Sequence, residues 1–220
     1  MAAKLYYWGI PGKGEMIRLA IHVTGADIED VPINGEAYGA LKARVGDKAK
    51  LVNLPMLEIG DEVFTESKAI LRYVGAKGGL IPADPIKALR SDEMVDVVDD
   101  LFFAIVSTFG ISDKTEMIAA RQALLVGPDG KMFKYLTKID AYLGKLTTPF
   151  IGGDELCLGD IALFGTIHVP VAGFLDGFPL DALESYPNIV AYRTRVGSHP
   201  KIASRYAGVT EGPLMAYKVK

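Results

Sequence analysis

Cysteine is nearly absent from the 220 residues. Cys157 stands alone, so no disulfide can form within the chain, which suits a reducing compartment. Histidine is scarce as well: His22, His168 and His199 lie far apart, and no two share a metal-ligand spacing. Neither sign of charge prevails. Lys plus Arg is 24 against 27 for Asp plus Glu, a formal net charge of −3, so there is no broad basic field to hold nucleic acid or an anionic membrane. Long apolar runs are missing too. The longest uncharged stretch toward the C-terminal end, residues 161–175, contains Pro170 and two glycines and falls short of the roughly 20 residues that cross a bilayer. The first eight residues put no apolar run behind a basic head, so no secretory signal is expected there. The expectation is a soluble, cytoplasmic protein that needs no metal, nucleic acid or membrane.

What is present is apolar content, 50% of the chain, enough for one large domain or two small ones with a core each. Residues 4–8 read as an aromatic-rich strand, 15–23 as a helix stopped by Gly25, 28–33 as a second strand and 37–44 as a weak helix. Residues 55–59 and 62–64 flank Gly60-Asp61 as a hairpin, and 66–74 form a helix ended by glycines. The order β-α-β-α-β-β-α is thioredoxin-like. Beyond a proline-punctuated linker at 80–86 strand signals vanish, and helices are expected over 86–109, 114–126, 131–146, 158–169 and 188–197. The expected fold class is an α/β thioredoxin-like N-terminal domain, residues 1–79, plus an all-α C-terminal domain, residues 87–220.

Several short patterns can carry chemistry. Pro55 in Asn53-Leu54-Pro55 is either an ordinary strand opener or a cis peptide that lets Leu54 turn its amide and carbonyl toward an extended peptide. Glu66-Ser67 at a helix start suits a carboxylate on the free amides and hydroxyl, with the glutamate facing an ammonium. The same pair also fits a plain cap. Tyr38 and Lys42 share a helical face, either as a donor and a carboxylate partner or as a half-buried ring beside a solvated lysine. Tyr6 and Tyr7 point to opposite sides of a strand, so one of them packs. A phenol aimed at a sulfur favours thiolate over thiol, each pKa unit corresponding to ~1.4 kcal/mol, and only the thiolate is a strong nucleophile. Asp96, Asp99 and Asp100 sit close on one helical face. Unless a cation joins them, their repulsion is expected to raise the pKa of one.

These pieces occur in the order that resembles the cytosolic glutathione transferases of the tyrosine type, along nearly the whole chain. Leu5-Tyr6-Tyr7-Trp8 and Gly12-Lys13-Gly14-Glu15-Met16-Ile17-Arg18 are similar to the family's opening, with Tyr7 at its thiol-activating tyrosine. Tyr38 and Lys42 match a tryptophan and lysine, Asn53-Leu54-Pro55 the cis-proline segment of the Mu class, and Glu66-Ser67 the pair that holds the γ-glutamyl group. Residues 156–164 resemble the folding motif of the helical domain, and 185–188 with 198–202 its last segment. The acidic run resembles that of the Sigma class and of glutathione-dependent prostaglandin D synthase. There an acid matching Asp100 reaches the partner subunit's glutathione, and the run can also take a divalent cation; the plain alternative is a solvated stripe. Four positions depart from the pattern. Tyr38 replaces tryptophan, Lys13 an arginine near the thiol, Cys157 a Ser or Thr cap, and Leu51 the aromatic key of Mu dimers.

The resemblance implies a cytoplasmic homodimer that conjugates glutathione, a co-substrate, to small hydrophobic electrophiles in detoxification. Tyr7 is then catalytic, and Tyr7, Lys13, Tyr38, Lys42, Asn53, Leu54, Pro55, Glu66, Ser67 and the partner's Asp100 bind glutathione. Ile10, Pro11, Phe103, Ser107 and Leu214 line the second-substrate site. A glutathione-dependent isomerase or peroxidase, or a non-catalytic relative, shares most of this sequence pattern.

Overall fold

The computed structural model describes residues 3–48 and 53–219, apart from the side chain of Asp47. Leu51 lies outside the described residues. The first unit runs β1 (Ala3–Trp8), α1 (Gly12–Thr24), β2 (Ile28–Ile33), α2 (Gly35–Val45), β3 (Met56–Ile59), β4 (Glu62–Phe64) and α3 (Ser67–Lys77). The sheet order is β2-β1-β3-β4, with β1 parallel to β2 and antiparallel to β3. A parallel pair needs a crossover, and α1 supplies it.

Strand alternation sorts β1. Leu5 and Tyr7 are buried, whereas Tyr6 and Trp8 lie half-buried on the other face. Tyr6 packs against the small core on the α2 side, where its hydroxyl donates to Glu58 at 2.9 Å and Arg44 clamps the same carboxylate. α1 and α3 cover the Leu5 face, while α2 closes the other over a small core of Leu41, Val45 and Met56.

The second unit comprises α4 (Pro85–Val106), α5 (Lys114–Leu124), α6 (Lys131–Leu143), α7 (Leu158–Ile167), α8 (Pro187–Gly197) and α9 (Pro200–Tyr206). α4 starts inside the stretch read as linker, because the Asp84 carboxylate accepts the amides of Ile86 at 3.0 Å and Lys87 at 2.8 Å, and Pro85 fits the first helical position. It ends before residue 109, where the Ser107 and Thr108 hydroxyls take the carbonyls of Ala104 and Ile105. α9 has no separate sequence signal, since seven residues are too few for a 3.6-residue pattern to show.

The two units do not own separate cores. One apolar cluster runs unbroken from Leu5 and Ile17 through Leu71 to Leu101 and Phe164. α1 sits between α3 and α7. It approaches α7 closely at Gly165, where any Cβ would collide with the Met16 backbone. The start of α7 is pinned by Asp160, which is fully buried and accepts the Cys157 amide at 2.9 Å, the Ile151 amide at 3.1 Å and the Tyr192 hydroxyl at 2.6 Å. The Cys157 thiol also donates to this carboxylate. Burial, reinforced by the Asp160 charge, pushes the thiol up to about 12, so it stays protonated and unreactive. Among the described residues no helix is long and apolar enough to cross a membrane.

Candidate active site

Tyr7 lies at the end of β1, only 6% exposed, with its ring tucked beneath the turn into α1. Gly12 and Gly14 permit this, because a side chain on either would run into the ring. The backbone amide of Lys13 donates to the Tyr7 hydroxyl at 2.9 Å. Burial raises the pKa of the phenol, while the Lys13 and Gly14 amides and the Arg18 charge pull against it; the net direction is upward. Tyr7 therefore keeps its proton at neutral pH. With its oxygen taken by an amide, its own O–H remains for an acceptor in the adjoining cleft.

That cleft has a volume of about 430 Å³ and a polar and an apolar half. The polar half gathers Tyr7, Lys13, Asn53, Leu54, Pro55, Glu66 and Ser67, all anticipated from sequence. The Leu54–Pro55 peptide is cis. Ser67 is buried in the first turn of α3, where unpaired helix amides favour an anion. Glu66, just before it, has φ 74, a conformation that a non-glycine residue holds only when its surroundings enforce it.

Tyr38 and Lys42 extend from this half rather than line it. The Tyr38 ring meets Trp8, a cleft residue, edge-on at 5.3 Å, and the Lys42 ammonium stands 4.6 Å from the Tyr38 ring centre. The apolar half comes from the end of α4 and the segments around α7: Phe102, Phe103, Val106, Phe109, Val169, Phe174 and Leu175, with Ile10 at the join. Of these only Ile10 and Phe103 were anticipated. The others have no local motif, and Phe174 and Leu175 sit in irregular backbone that carries no periodicity.

Three anticipated second-substrate residues lie elsewhere. Pro11 and Leu214 line a separate groove behind the β1–α1 turn, because the C-terminal tail packs along α9. Ser107 does not line the cleft, and its hydroxyl is spent on the Ala104 carbonyl at 2.7 Å.

The acidic run also differs from expectation. Asp99 bonds the Lys13 ammonium at 2.7 Å and lies 3.4 Å from that of Lys68; Asp96 meets Lys68 at 2.8 Å and Arg72 at 3.2 Å. Facing cations replace the anticipated repulsion, so the Asp96 pKa moves down, chiefly through the Lys68 hydrogen bond, rather than up. Asp100 lies outside the cleft, near Tyr135; burial first, then the charge of this carboxylate, raises the Tyr135 phenol. Among the described residues no group of three or more His, Cys, Asp or Glu side chains is placed to hold a metal ion.

The geometry offers a protonated phenol where a polar trough with an anion-binding helix start meets a pocket walled by phenylalanines. Comparison with known proteins places the chain in a family. Residues 3–76 match the family described as glutathione S-transferase, N-terminal domain, and residues 100–206 match glutathione S-transferase, C-terminal domain. Glutathione S-transferase 1 of Ascaris suum is 28% identical over 73% of this chain and 76% of its own. The hematopoietic prostaglandin D synthase of Gallus gallus is 25% identical over 91% of this chain and 93% of its own. Among solved structures, prostaglandin synthase D of Nilaparvata lugens superposes with a TM-score of 0.79 at 24% identity, covering 96% of this chain and all of the other.

Proposed function

Because the chain belongs to the glutathione S-transferase family, we propose that it binds glutathione along the polar half of the cleft and transfers its sulfur to an apolar electrophile in the other half. The observation that supports this most directly is the Tyr7 hydroxyl, protonated and fixed by the Lys13 amide where the two halves meet. In this reading Tyr7 donates to the glutathione sulfur and stabilises the thiolate, whose attack benefits from the two reactants being held side by side. The tripeptide lies extended against Leu54, with its γ-glutamyl carboxylate at Ser67 and the α3 amides, its ammonium at Glu66, and its glycine carboxylate toward Lys42.

The same reading has two copies pair through the face of α3 and α4 where Tyr73, Ile86 and Leu89 are exposed. Asp100, which does not reach the cleft of its own chain, would then serve the partner's. Sedimentation at micromolar concentration tests the pairing, and a monomer counts against it. The chemistry is tested by adding glutathione at neutral pH and watching for thiolate absorbance in the far ultraviolet. Binding without that band removes the proposed role of Tyr7.

A second reading keeps the same sulfur chemistry but returns the glutathione, as an isomerase does. The similarity to a prostaglandin D synthase motivates it. Product analysis separates the two, since conjugation consumes glutathione and isomerisation does not.

A further inference from the structure

Arg18 closes the run Gly12 to Arg18 that resembles the family's opening; it is charged yet only 7% exposed. A long helical side chain runs back toward the helix start. Here that direction carries the guanidinium from α1 under the turn that covers Tyr7. All three of its nitrogens are engaged. Nη1 donates to the Ile10 carbonyl at 2.8 Å, Nη2 to the Trp8 carbonyl at 2.9 Å, and Nε to both oxygens of Asp30 on β2, at 2.9 and 3.1 Å. The guanidinium carbon stands 5.6 Å from the Tyr7 ring centre.

We propose that Arg18 is a positioning residue for Tyr7. It ties the end of β1 and the β1–α1 turn into one rigid piece, fixes the Lys13 amide against the phenol oxygen, and supplies the positive charge that the bound thiol feels from behind the ring. The proposal rests on the reading of Tyr7 given above.

The remaining charges around Tyr7 are largely spoken for. The Lys13 ammonium is held by Asp99 at 2.7 Å; Glu15, on α1, is held by Arg205 at 2.8 Å and the Tyr206 hydroxyl at 2.9 Å. Tyr206 and Tyr217, from the helical unit, are buried phenols pushed well above their ordinary range and so uncharged. Glu66 stands on the polar wall of the cleft. Asp30, the counter-ion of Arg18, is 39% exposed, so water screens it more than it screens the buried guanidinium. That leaves Arg18, paired with the more exposed Asp30, as the buried cation behind the ring. Lysine cannot take its place, since one ammonium cannot bridge two carbonyls and a carboxylate with the geometry of the planar fork.

The test is an ultraviolet titration of the thiol of bound glutathione in the parent, in Arg18→Lys and in Asp30→Asn. Arg18→Lys is expected to raise the apparent thiol pKa by about one unit, roughly tenfold less thiolate below the pKa, with glutathione affinity changed less than about threefold. Asp30→Asn, which leaves the fork on its carbonyls and removes the counter-charge, is expected to lower it by a few tenths. Shifts of opposite sign are not what a general loss of rigidity produces. An unmoved pKa in Arg18→Lys, or shifts of the same sign, overturns the proposal. If Arg18→Lys does not fold, Asp30→Asn alone decides, and an unmoved or raised pKa there is fatal. A parent that binds glutathione without any thiolate band overturns the Tyr7 reading as well, whereas a parent with the band and variants that match it overturns Arg18 alone.

Discussion

The Tyr7 hydroxyl oxygen lies 2.9 Å from the amide nitrogen of Lys13, so the first turn of α1 holds the phenol by its acceptor side and leaves its donor side to the cleft. Only a side chain that has a donor to give makes use of that arrangement. Tyr7→Phe keeps the ring beneath Gly12 and Gly14 and removes the donor. A hydrogen bond to a charged group contributes about 1.5–3 kcal/mol, so turnover of an aryl halide at neutral pH should fall about 10- to 100-fold. The KM for glutathione should stay within about threefold. Because burial raises the Tyr7 pKa from 10.0, the parent's rate should climb with pH through the thiol pKa and show no falling limb from Tyr7 below that value. In the variant the climb should move to higher pH by one to two units. A variant with parental turnover removes Tyr7 from the mechanism.

Lys42 sits at the far end of the row Trp8–Tyr38–Lys42 and is exposed. An exposed ammonium facing a ligand carboxylate gives about 0.5–1 kcal/mol, screened by salt. Lys42→Ala should therefore raise the KM for glutathione about two- to fivefold with kcat little changed, the signature of uniform binding. The difference from the parent should shrink in molar salt. A salt-independent loss of kcat would contradict this placement.

These positions differ in how plainly the sequence marks them, for physical reasons. Strand β2 was legible to the residue, because Gly25 and Asp27 precede it and Asn34-Gly35 follow it. The polar half of the cleft was legible because its parts, a proline-opened strand and a helix start, are local backbone features written in consecutive residues. The apolar half was not. Phe102 and Val106 belong to an amphipathic stripe whose core-facing and cleft-facing members look alike in sequence, and only the placement of α4 against α7 tells them apart. Arg18 reads in sequence as one more cation in a helix. Its meaning depends on Asp30 and two carbonyls that the fold brings to it. The acidic run was legible as a cluster, but its electrostatics depend on Lys13, Lys68 and Arg72, which arrive from the other unit.

Glu66 holds φ 74 with no glycine to make it easy. Such a conformation costs about 1–3 kcal/mol and persists where function needs the side chain in place. Glu66→Gly should raise the stability of the free protein by about 1 kcal/mol in chemical denaturation, while weakening glutathione binding severalfold through loss of the carboxylate. A variant that is both less stable and unchanged in affinity would mean that the strain and the ligand are unrelated.

His168 makes stability depend on acidity at a place remote from the chemistry. The ring is completely buried; its Nδ1 donates to the Phe164 carbonyl at 2.7 Å, and its Nε2 accepts from Arg193 at 2.9 Å, which requires the neutral form. Burial, with the Arg193 charge adding to it, lowers its pKa from 6.5 to about 3. Between those values the unfolded chain takes up a proton that the folded chain refuses. Stability from this group is thus full above 6.5 and is lost as the pH falls toward 3, by up to about 1.4 kcal/mol per pH unit. The Glu58 carboxylate, lowered to about 2 by Arg44, has an ordinary value of 4.5 and adds its loss only at lower pH. Urea unfolding at fixed protein concentration should therefore show the parent about 1.4 kcal/mol less stable at pH ~5.5 than at pH ~7.5. His168→Gln, less stable overall, should lose only a few tenths across the same interval. His22, whose pKa is lowered modestly by burial and by Arg205, titrates in both proteins and cancels in the difference. Equal losses in parent and variant would show that His168 accepts its proton in the folded state and that the buried bond to Arg193 does not hold it neutral.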